Sequence, residues 1–314
     1  MATSLAAWKH PTHGHELQSL FRSRVESCMT LRNAPCPCGS GQRFEHCHGQ
    51  AAPGSAACGP ELDFVVVGTQ RGGTSTLDHY LRQHPRIAMP VSRKELHFFD
   101  RDEHFAAIPV DYATYHSQFG PRRPGQLRGE VTPIYMYWMP ATGRLASYKP
   151  ALKIVVLLRN PITRAYSHWN KERHGGRETL PFLAALRAEP ERARAAEPLQ
   201  DRHTSYVARG FYVSQLRRLW RHFAVEQTLV LRSEALWTVP ERTLARIAAF
   251  LGLPPFPRVA PSIVNGREYA VPLQPREWTL LADKFADEIR QLERLLGWDC
   301  ADWLRPPSGD AAFP

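Results

Sequence analysis

Two clusters of residues in this chain have types and spacings that can do chemistry. One is Gly68-Thr-Gln-Arg-Gly-Gly-Thr-Ser-Thr76. Gly72 and Gly73 let backbone N–H groups close on an anion, and Thr74, Ser75 and Thr76 add hydroxyls at the positive end of a helix. The spacing almost reproduces the ATP-type loop G-x-x-x-x-G-K-[ST], but Thr74 stands where the lysine belongs and the basic residue comes earlier, at Arg71. The other cluster is Pro35-Cys-Pro-Cys-Gly-Ser-Gly-Gln-Arg-Phe-Glu-His-Cys-His-Gly49, which reads C-x-C-x8-C-H. Thiolates and imidazole this close together suit tetrahedral Zn²⁺. Gly39 and Gly41 let the chain turn between the ligand pairs. A segment this small has no core, so the metal would supply its folding energy.

The anion loop needs a strand before it and a helix after it, and the sequence supplies both. Asp63–Gly68 is a short β-branched run ending at Gly, which predicts a buried parallel strand. Thr74–Gln83 then carries Leu77, Tyr80 and Leu81 at helical spacing. A second strand–turn–helix unit starts at Lys153–Leu158, turns at Arg159-Asn-Pro161 and continues through Ala165, Tyr166 and Trp169, with Pro161 suited to a first helical turn. A third strand is expected at Thr228–Leu231, and helices at Phe182–Ala196, Val213–Phe223, Pro240–Leu251 and Pro275–Leu296. Strands alternating with helices predict an α/β fold, a P-loop-like parallel sheet flanked by helices and preceded by a small zinc-bound module. The charged, Ala-rich stretch Glu189–Gln200 reads as a solvated helix end or loop.

The 314 residues divide into a helical segment over 1–32, the zinc motif at 33–50, a linker rich in Ala, Gly and Pro at 51–61, a main domain over 62–305 and a tail at 306–314. The formal charge is +10, carried by 34 Arg and only six Lys. Arg presents a planar fork of donors that fits phosphate and sulfate oxygens. The charge alone would admit nucleic acid as a partner, but no nucleic-acid-binding motif accompanies it. Six cysteines, three of them clustered, do not form a disulfide framework and suggest metal ligation in a reducing compartment. Met1–His15 does not read as a secretory signal, and the run Ile154–Leu158 is far short of a membrane span, so the expected location is the cytoplasm.

The cysteine cluster resembles the SEC-C zinc motif, which implies Cys36, Cys38, Cys47 and His48 as ligands, with His46 a spectator or a substitute for His48. Four protein ligands leave no open position, so the metal is expected to be structural or to form a surface where a protein partner docks. In the main domain, Gln70-Arg-Gly-Gly-Thr-Ser-Thr-Leu77 resembles the 5'-phosphosulfate loop of sulfotransferases that use 3'-phosphoadenosine 5'-phosphosulfate (PAPS). Lys94-Glu-Leu-His-Phe-Phe-Asp100 is similar to the K-E-x-x-F-F-D segment of the heparan-type branch, and Arg159–Ser167 to the 3'-phosphate segment R-x-P-x-x-R-x-x-S. Arg209–Leu216 and Asn265-Gly-Arg267 also fall where that family places nucleotide-contacting segments.

The resemblance implies sulfuryl transfer from PAPS to a hydroxyl or amine of a small-molecule or carbohydrate acceptor. Arg71, in place of the usual Lys, would lie near the bridging oxygen and offset its charge, with Gly72, Gly73, Thr74, Ser75 and Thr76 around the same phosphate. Arg159 and Ser167 would hold the 3'-phosphate, with Tyr212, Gly266 and Arg267 on the nucleotide. Glu95 would take the acceptor's proton. His97, two positions on and on the same face of an extended segment, would share the proton or orient the acceptor. Asp100 would bind acceptor hydroxyls, and Phe98 and Phe99 would be core. Two other readings compete: a P-loop nucleotide kinase, opposed by the missing lysine, and a non-catalytic docking protein that uses the zinc module.

Overall fold

The β-branched run opens the main domain as β1 (Phe64–Gly68), buried along its whole length. Then follow α1 (Thr74–Gln83), β2 (Ile87–Ala88), α2 (Ala113–His116), β3 (Leu127–Val131), α3 (Met139–Tyr148), β4 (Lys153–Leu158), α4 (Pro161–His174), α5 (Phe182–Ala195), α6 (Tyr212–Leu219), β5 (Thr228–Arg232), α7 (Ala235–Thr238), α8 (Pro240–Leu251) and α9 (Pro275–Leu296). The computed structural model describes residues 61–258, 262, 264 and 271–306. The N-terminal helical segment, the zinc ligands Cys36, Cys38, Cys47 and His48, nearly all of the linker, and Gly266 and Arg267 lie outside the described residues. No helix among the described residues is long and apolar enough to cross a membrane.

The five strands form one parallel sheet in the order β2-β3-β1-β4-β5. Alternate side chains of each strand point to opposite faces. Phe64, Val66, Val155 and Leu157 pack with Leu77 and Leu81 of α1 and Ile247 of α8. Val65, Val67, Ile154 and Val156 pack with Ile162 of α4, Leu216 of α6 and Phe285 of α9. Both faces are therefore covered, as the continuous apolar runs of β1 and β4 require. From β1 the chain moves to one side of the sheet to lay down β2 and β3, then crosses back over β1 to β4 and β5. A reversal of this kind opens a crevice at the carboxyl ends of the strands.

Three features depart from what the sequence suggests. β3 reads Leu-Arg-Gly-Glu-Val, yet Arg128, Gly129 and Glu130 are all buried. The Arg128 guanidinium lies 5.1 Å over the Phe119 ring, and Glu130 accepts the Tyr115 hydroxyl proton at 2.5 Å. The helix expected over Val213–Phe223 runs instead from Tyr212 to Leu219. The charged stretch Glu189–Gln200 is the end of α5 and the loop after it, exposed or half-buried as expected except at Glu189, which is buried and accepts from the N–H groups of Val207 and Ala208, both at 2.8 Å on its nearer oxygens. Those bonds satisfy two donors of the connection to α6, and burial raises the Glu189 carboxyl to about 7.

Candidate active site

The anion loop spans the carboxyl end of β1. Thr69 N–H donates to Leu157 O at 2.8 Å and Gly72 N–H to Thr69 O at 2.9 Å, folding the loop back on the sheet edge. At Gly72 a Cβ would stand 2.9 Å from Leu157 O, and Gly73 has φ 80° with a would-be Cβ 2.8 Å from the Trp237 ring. Both positions therefore require glycine. Ser233, just past β5, donates its hydroxyl to Gly72 O at 2.5 Å. No side chain caps the N-terminus of α1, whereas the Asn160 side chain caps α4 by accepting from Ile162 N–H. The first N–H groups of α1 thus keep their positive field for an anion, worth about 0.3–1 kcal/mol per charge at an exposed site and up to ~2 kcal/mol when partly buried.

Arg71 and the 3'-phosphate segment converge. Arg71 Nε donates to Ser167 Oγ at 2.9 Å, and Arg159 Nη1 donates to Arg71 O at 3.3 Å. Arg159 is further fixed by Nε on Thr163 Oγ1 at 3.1 Å, one helical turn on. Arg71, expected near a bridging oxygen, is therefore placed across the residue expected to hold the other phosphate. Tyr212 is fully buried and gives its hydroxyl to Arg159 O at 2.8 Å, so it reaches the site through the backbone of Arg159. Thr76 accepts from Val264 N–H at 3.0 Å, whereas the Thr74 and Ser75 hydroxyls accept from Lys94 at the loop's mouth.

The segment from Lys94 to Asp100 faces that mouth. Lys94 Nζ spends its three protons on Thr74 Oγ1 at 3.2 Å, Ser75 Oγ at 3.0 Å and Glu95 Oε1 at 2.9 Å. His97 Nε2 lies 3.3 Å from Glu95 Oε2, and its Nδ1 lies 3.2 Å from Asp100 Oδ2. Asp100 in turn accepts from Arg202 Nη1 at 2.6 Å. Burial opposes the charge on Glu95, but His97 and Lys94 outweigh it and hold the carboxyl down at about 2. Burial likewise opposes the imidazolium, yet the carboxylates of Asp100 and Glu95 push His97 up to about 9. For Asp100 the burial cost is outweighed by His97 and Arg202, and its carboxyl titrates below the ordinary range. At neutral pH the cluster therefore holds an imidazolium between two carboxylates, with Glu95 ionised and able to accept a proton.

The segment has little regular structure and is pinned by side chains from the neighbouring strand end. Leu96 N–H donates to Thr132 Oγ1 at 3.1 Å, and Phe98 and Phe99 N–H donate to Tyr135 OH at 3.0 and 3.3 Å. Phe98 and Phe99 are core residues, as expected. Tyr135 is also hydrogen-bonded to Glu130, whose carboxyl burial raises to about 7. Among the described residues only Arg71 and His97 are non-glycine residues with positive φ, at 66° and 56°. Such backbone costs on the order of 1–3 kcal/mol each and persists only where surrounding contacts enforce it. Thr132, Tyr135, Ser233 and Arg202 escape the sequence reading because each acts on a segment far away in the chain. Only the packed structure brings them to the site.

The crevice, with a helix N-terminus on one wall and a carboxylate–imidazolium cluster on the other, has the architecture of a group-transfer site for an anionic donor. Residues 61–268 match the sulfotransferase domain family, and the chain belongs to that family. Residues 32–50 match the SEC-C motif. The chain is 30% identical over 189 residues to human heparan sulfate glucosamine 3-O-sulfotransferase 3B1, covering 60% of this chain and 45% of that protein. It is 32% identical over 211 residues to human heparan sulfate glucosamine 3-O-sulfotransferase 6, covering 66% and 58%. It spans about half the length of these curated relatives. The crystal structure of a sulfotransferase from Alicyclobacillus acidocaldarius superimposes with a TM-score of 0.67 at 30% identity, over 78% of this chain and 99% of that one.

Proposed function

We propose that the protein transfers the sulfuryl group of PAPS to a carbohydrate hydroxyl, with Glu95 as the general base. The observation that carries this reading is the continuous line of contacts from Ser167 and Arg159 through the anion loop to Lys94, Glu95 and His97. One end suits a nucleotide bearing two separate anionic groups, and the other suits a hydroxyl that must lose its proton. The similarity to heparan sulfate glucosamine 3-O-sulfotransferases supports a glucosamine-containing acceptor.

In this reading the acceptor oxygen forms a bond to sulfur as the bond from sulfur to the donor's phosphate oxygen breaks. The acceptor proton passes to Glu95, and adenosine 3',5'-bisphosphate leaves. Lys94, already on the two loop hydroxyls, offsets charge on the sulfuryl oxygens. Arg71 and the α1 N-terminus offset charge on the leaving phosphate. Arg71 would exchange Ser167 for a donor oxygen, since an anion there competes for the same donors. His97 keeps Glu95 ionised and oriented.

The kinase alternative is separated by ligand preference. Adenosine 3',5'-bisphosphate is expected to raise the melting temperature with concentration, as any ligand of the native state does. A shift with ATP and none with the bisphosphate at millimolar concentration overturns the reading. For residues 32–50 we infer one structural zinc held by Cys36, Cys38, Cys47 and His48. The match to the SEC-C motif supports this, as does a donor set of three thiolates and one imidazole that completes a tetrahedron. Cys38→Ser is expected to lose the metal by elemental analysis while still binding the bisphosphate. Full zinc in that variant refutes the ligand set.

A further inference from the structure

Asp100 has no exposed side-chain surface, and a buried carboxylate persists as an anion only where partners replace water. Its side chain has two partners: His97 on one side and Arg202 on the other. Arg202 comes from the connection between α5 and α6, 102 residues along the chain. Its guanidinium is fixed on three sides. Nη1 donates to Asp100 Oδ2 at 2.6 Å, Nη2 donates to the backbone carbonyl of Asp100, and the plane lies 4.0 Å over the Trp138 ring. One residue thus grips both the side chain and the main chain at the end of the acceptor-side segment.

The connection that carries Arg202 is itself braced against the donor loop. Arg209 Nη2 donates to Arg202 O at 2.8 Å, while Arg209 Nη1 donates to Gln70 Oε1, next to Arg71, at 2.5 Å. Asp201 closes a tight turn by accepting from His203 N–H at 2.6 Å and Thr204 N–H at 2.7 Å. Glu189 holds the far end through Val207 and Ala208. Arg202 therefore projects from a stiff support whose position is set relative to the donor loop.

We propose that Arg202 is a positioning residue for sulfuryl transfer. It fixes Asp100, Asp100 fixes the His97 ring through Nδ1, and the His97 Nε2 side fixes the Glu95 carboxylate. The proposal rests on Glu95 being the base, and it assigns Arg202 no contact with the donor or acceptor. Removing the guanidinium leaves Asp100 with one partner and lets the His97 ring, held at an unfavourable positive φ, turn away from Glu95. Misplacing a reacting group by about 1 Å can cost on the order of a hundredfold in rate.

The test compares Arg202→Met, Arg202→Lys, Asp100→Asn and the Arg202→Met/Asp100→Asn pair with the unaltered chain. Turnover is measured at saturating PAPS with a heparan sulfate oligosaccharide and, separately, with water as acceptor. Bisphosphate affinity is measured by calorimetry. Arg202→Met is expected to lower kcat by about tenfold to a hundredfold while bisphosphate affinity stays within about threefold. Arg202→Lys, which keeps one charged donor, recovers part of the loss. The double variant is no slower than Asp100→Asn alone, because Arg202 acts through Asp100. Unchanged kcat in Arg202→Met, multiplicative losses in the double variant, or loss of bisphosphate affinity in step with kcat each overturn the proposal. An unaltered chain that transfers nothing from PAPS and binds ATP instead overturns the underlying functional reading. An active chain with one of the three contrary results overturns only the role of Arg202.

Discussion

The two walls of the crevice are built by different means. The donor wall is made of turns between strands and helices. The loop after β1 and the turn after β4 each follow directly from a buried strand, and their key groups are backbone N–H donors, an uncapped helix end and one arginine just past each strand, Arg71 and Arg159. The acceptor wall is a segment with little regular structure. Its geometry is borrowed from Thr132 and Tyr135 beyond β3, from Arg202 beyond α5, and from Lys94 bridging to Thr74 and Ser75. In the proposed reading the donor wall keeps its nucleotide site with the acceptor wall damaged, whereas the acceptor wall depends on many distant supports. Substitutions on the two walls should separate donor affinity from turnover.

The largest expected effect breaks the acceptor wall at its chemical centre. Glu95→Gln keeps size and hydrogen bonding but cannot take a proton as a carboxylate does. It should lower kcat by about 10²–10⁴-fold with bisphosphate affinity retained. Near-normal turnover at saturating donor would move the base elsewhere, with His97 the first candidate. Arg159→Ala strikes the donor wall and should behave in the opposite way. Losing a charged phosphate contact is expected to weaken bisphosphate binding by roughly tenfold to a hundredfold, read by calorimetry, with the rate at subsaturating donor falling in step.

Tyr135→Phe sharpens the comparison, because the fully buried hydroxyl holds the acceptor-side segment through the Phe98 and Phe99 N–H groups. Its loss leaves the buried N–H groups of Phe98 and Phe99 without their acceptor, a cost of about 1–3 kcal/mol of stability. Turnover should drop with bisphosphate affinity unchanged; a drop in affinity of equal size would show that the two walls are not separable. The smallest effect is a pH dependence. His97 is raised in the folded protein from 6.5 to about 9, so its contribution to stability is fully present below pH 6.5 and lost as pH rises through about 9. Glu95, depressed to about 2, contributes above about pH 4.5 and loses that contribution only as pH falls through about 2. Denaturant unfolding of His97→Asn should therefore show a flatter decline in stability between pH 6.5 and 9 than the unaltered chain. An identical slope would place the imidazole's proton elsewhere.

The same contrast explains what could be read from the sequence. β1, β4, α1, α8 and α9 were legible because apolar runs and helical spacing are local signals, and the bounds of α1, α8 and α9 fall where that spacing places them. The donor wall was legible because Gly72, Gly73, Thr74, Arg159 and Ser167 sit within two short stretches whose order carries the chemistry. β3 was not, since Arg128 and Glu130 look like surface residues until Phe119 and Tyr115 cover them. Glu95, His97 and Asp100 could be named from one contiguous segment, but not the groups that hold them. The Arg202–Asp100 pair spans 102 residues and leaves no periodic trace. Nor did the sequence indicate that Arg71 would lie on Ser167, because a side chain's partner in a crevice is set by the packing of both loops.

The central claim is that the two walls act on one sulfuryl group. It is tested most directly by incubating the full chain with PAPS radiolabelled at sulfur and a heparan sulfate oligosaccharide, then following both label and nucleotide. Label is expected to appear on the saccharide in step with release of adenosine 3',5'-bisphosphate, and Glu95→Gln is expected to slow the transfer by about 10²–10⁴-fold while still binding the bisphosphate. Label that stays on the nucleotide, with phosphate passing from ATP to an acceptor instead, would contradict that claim.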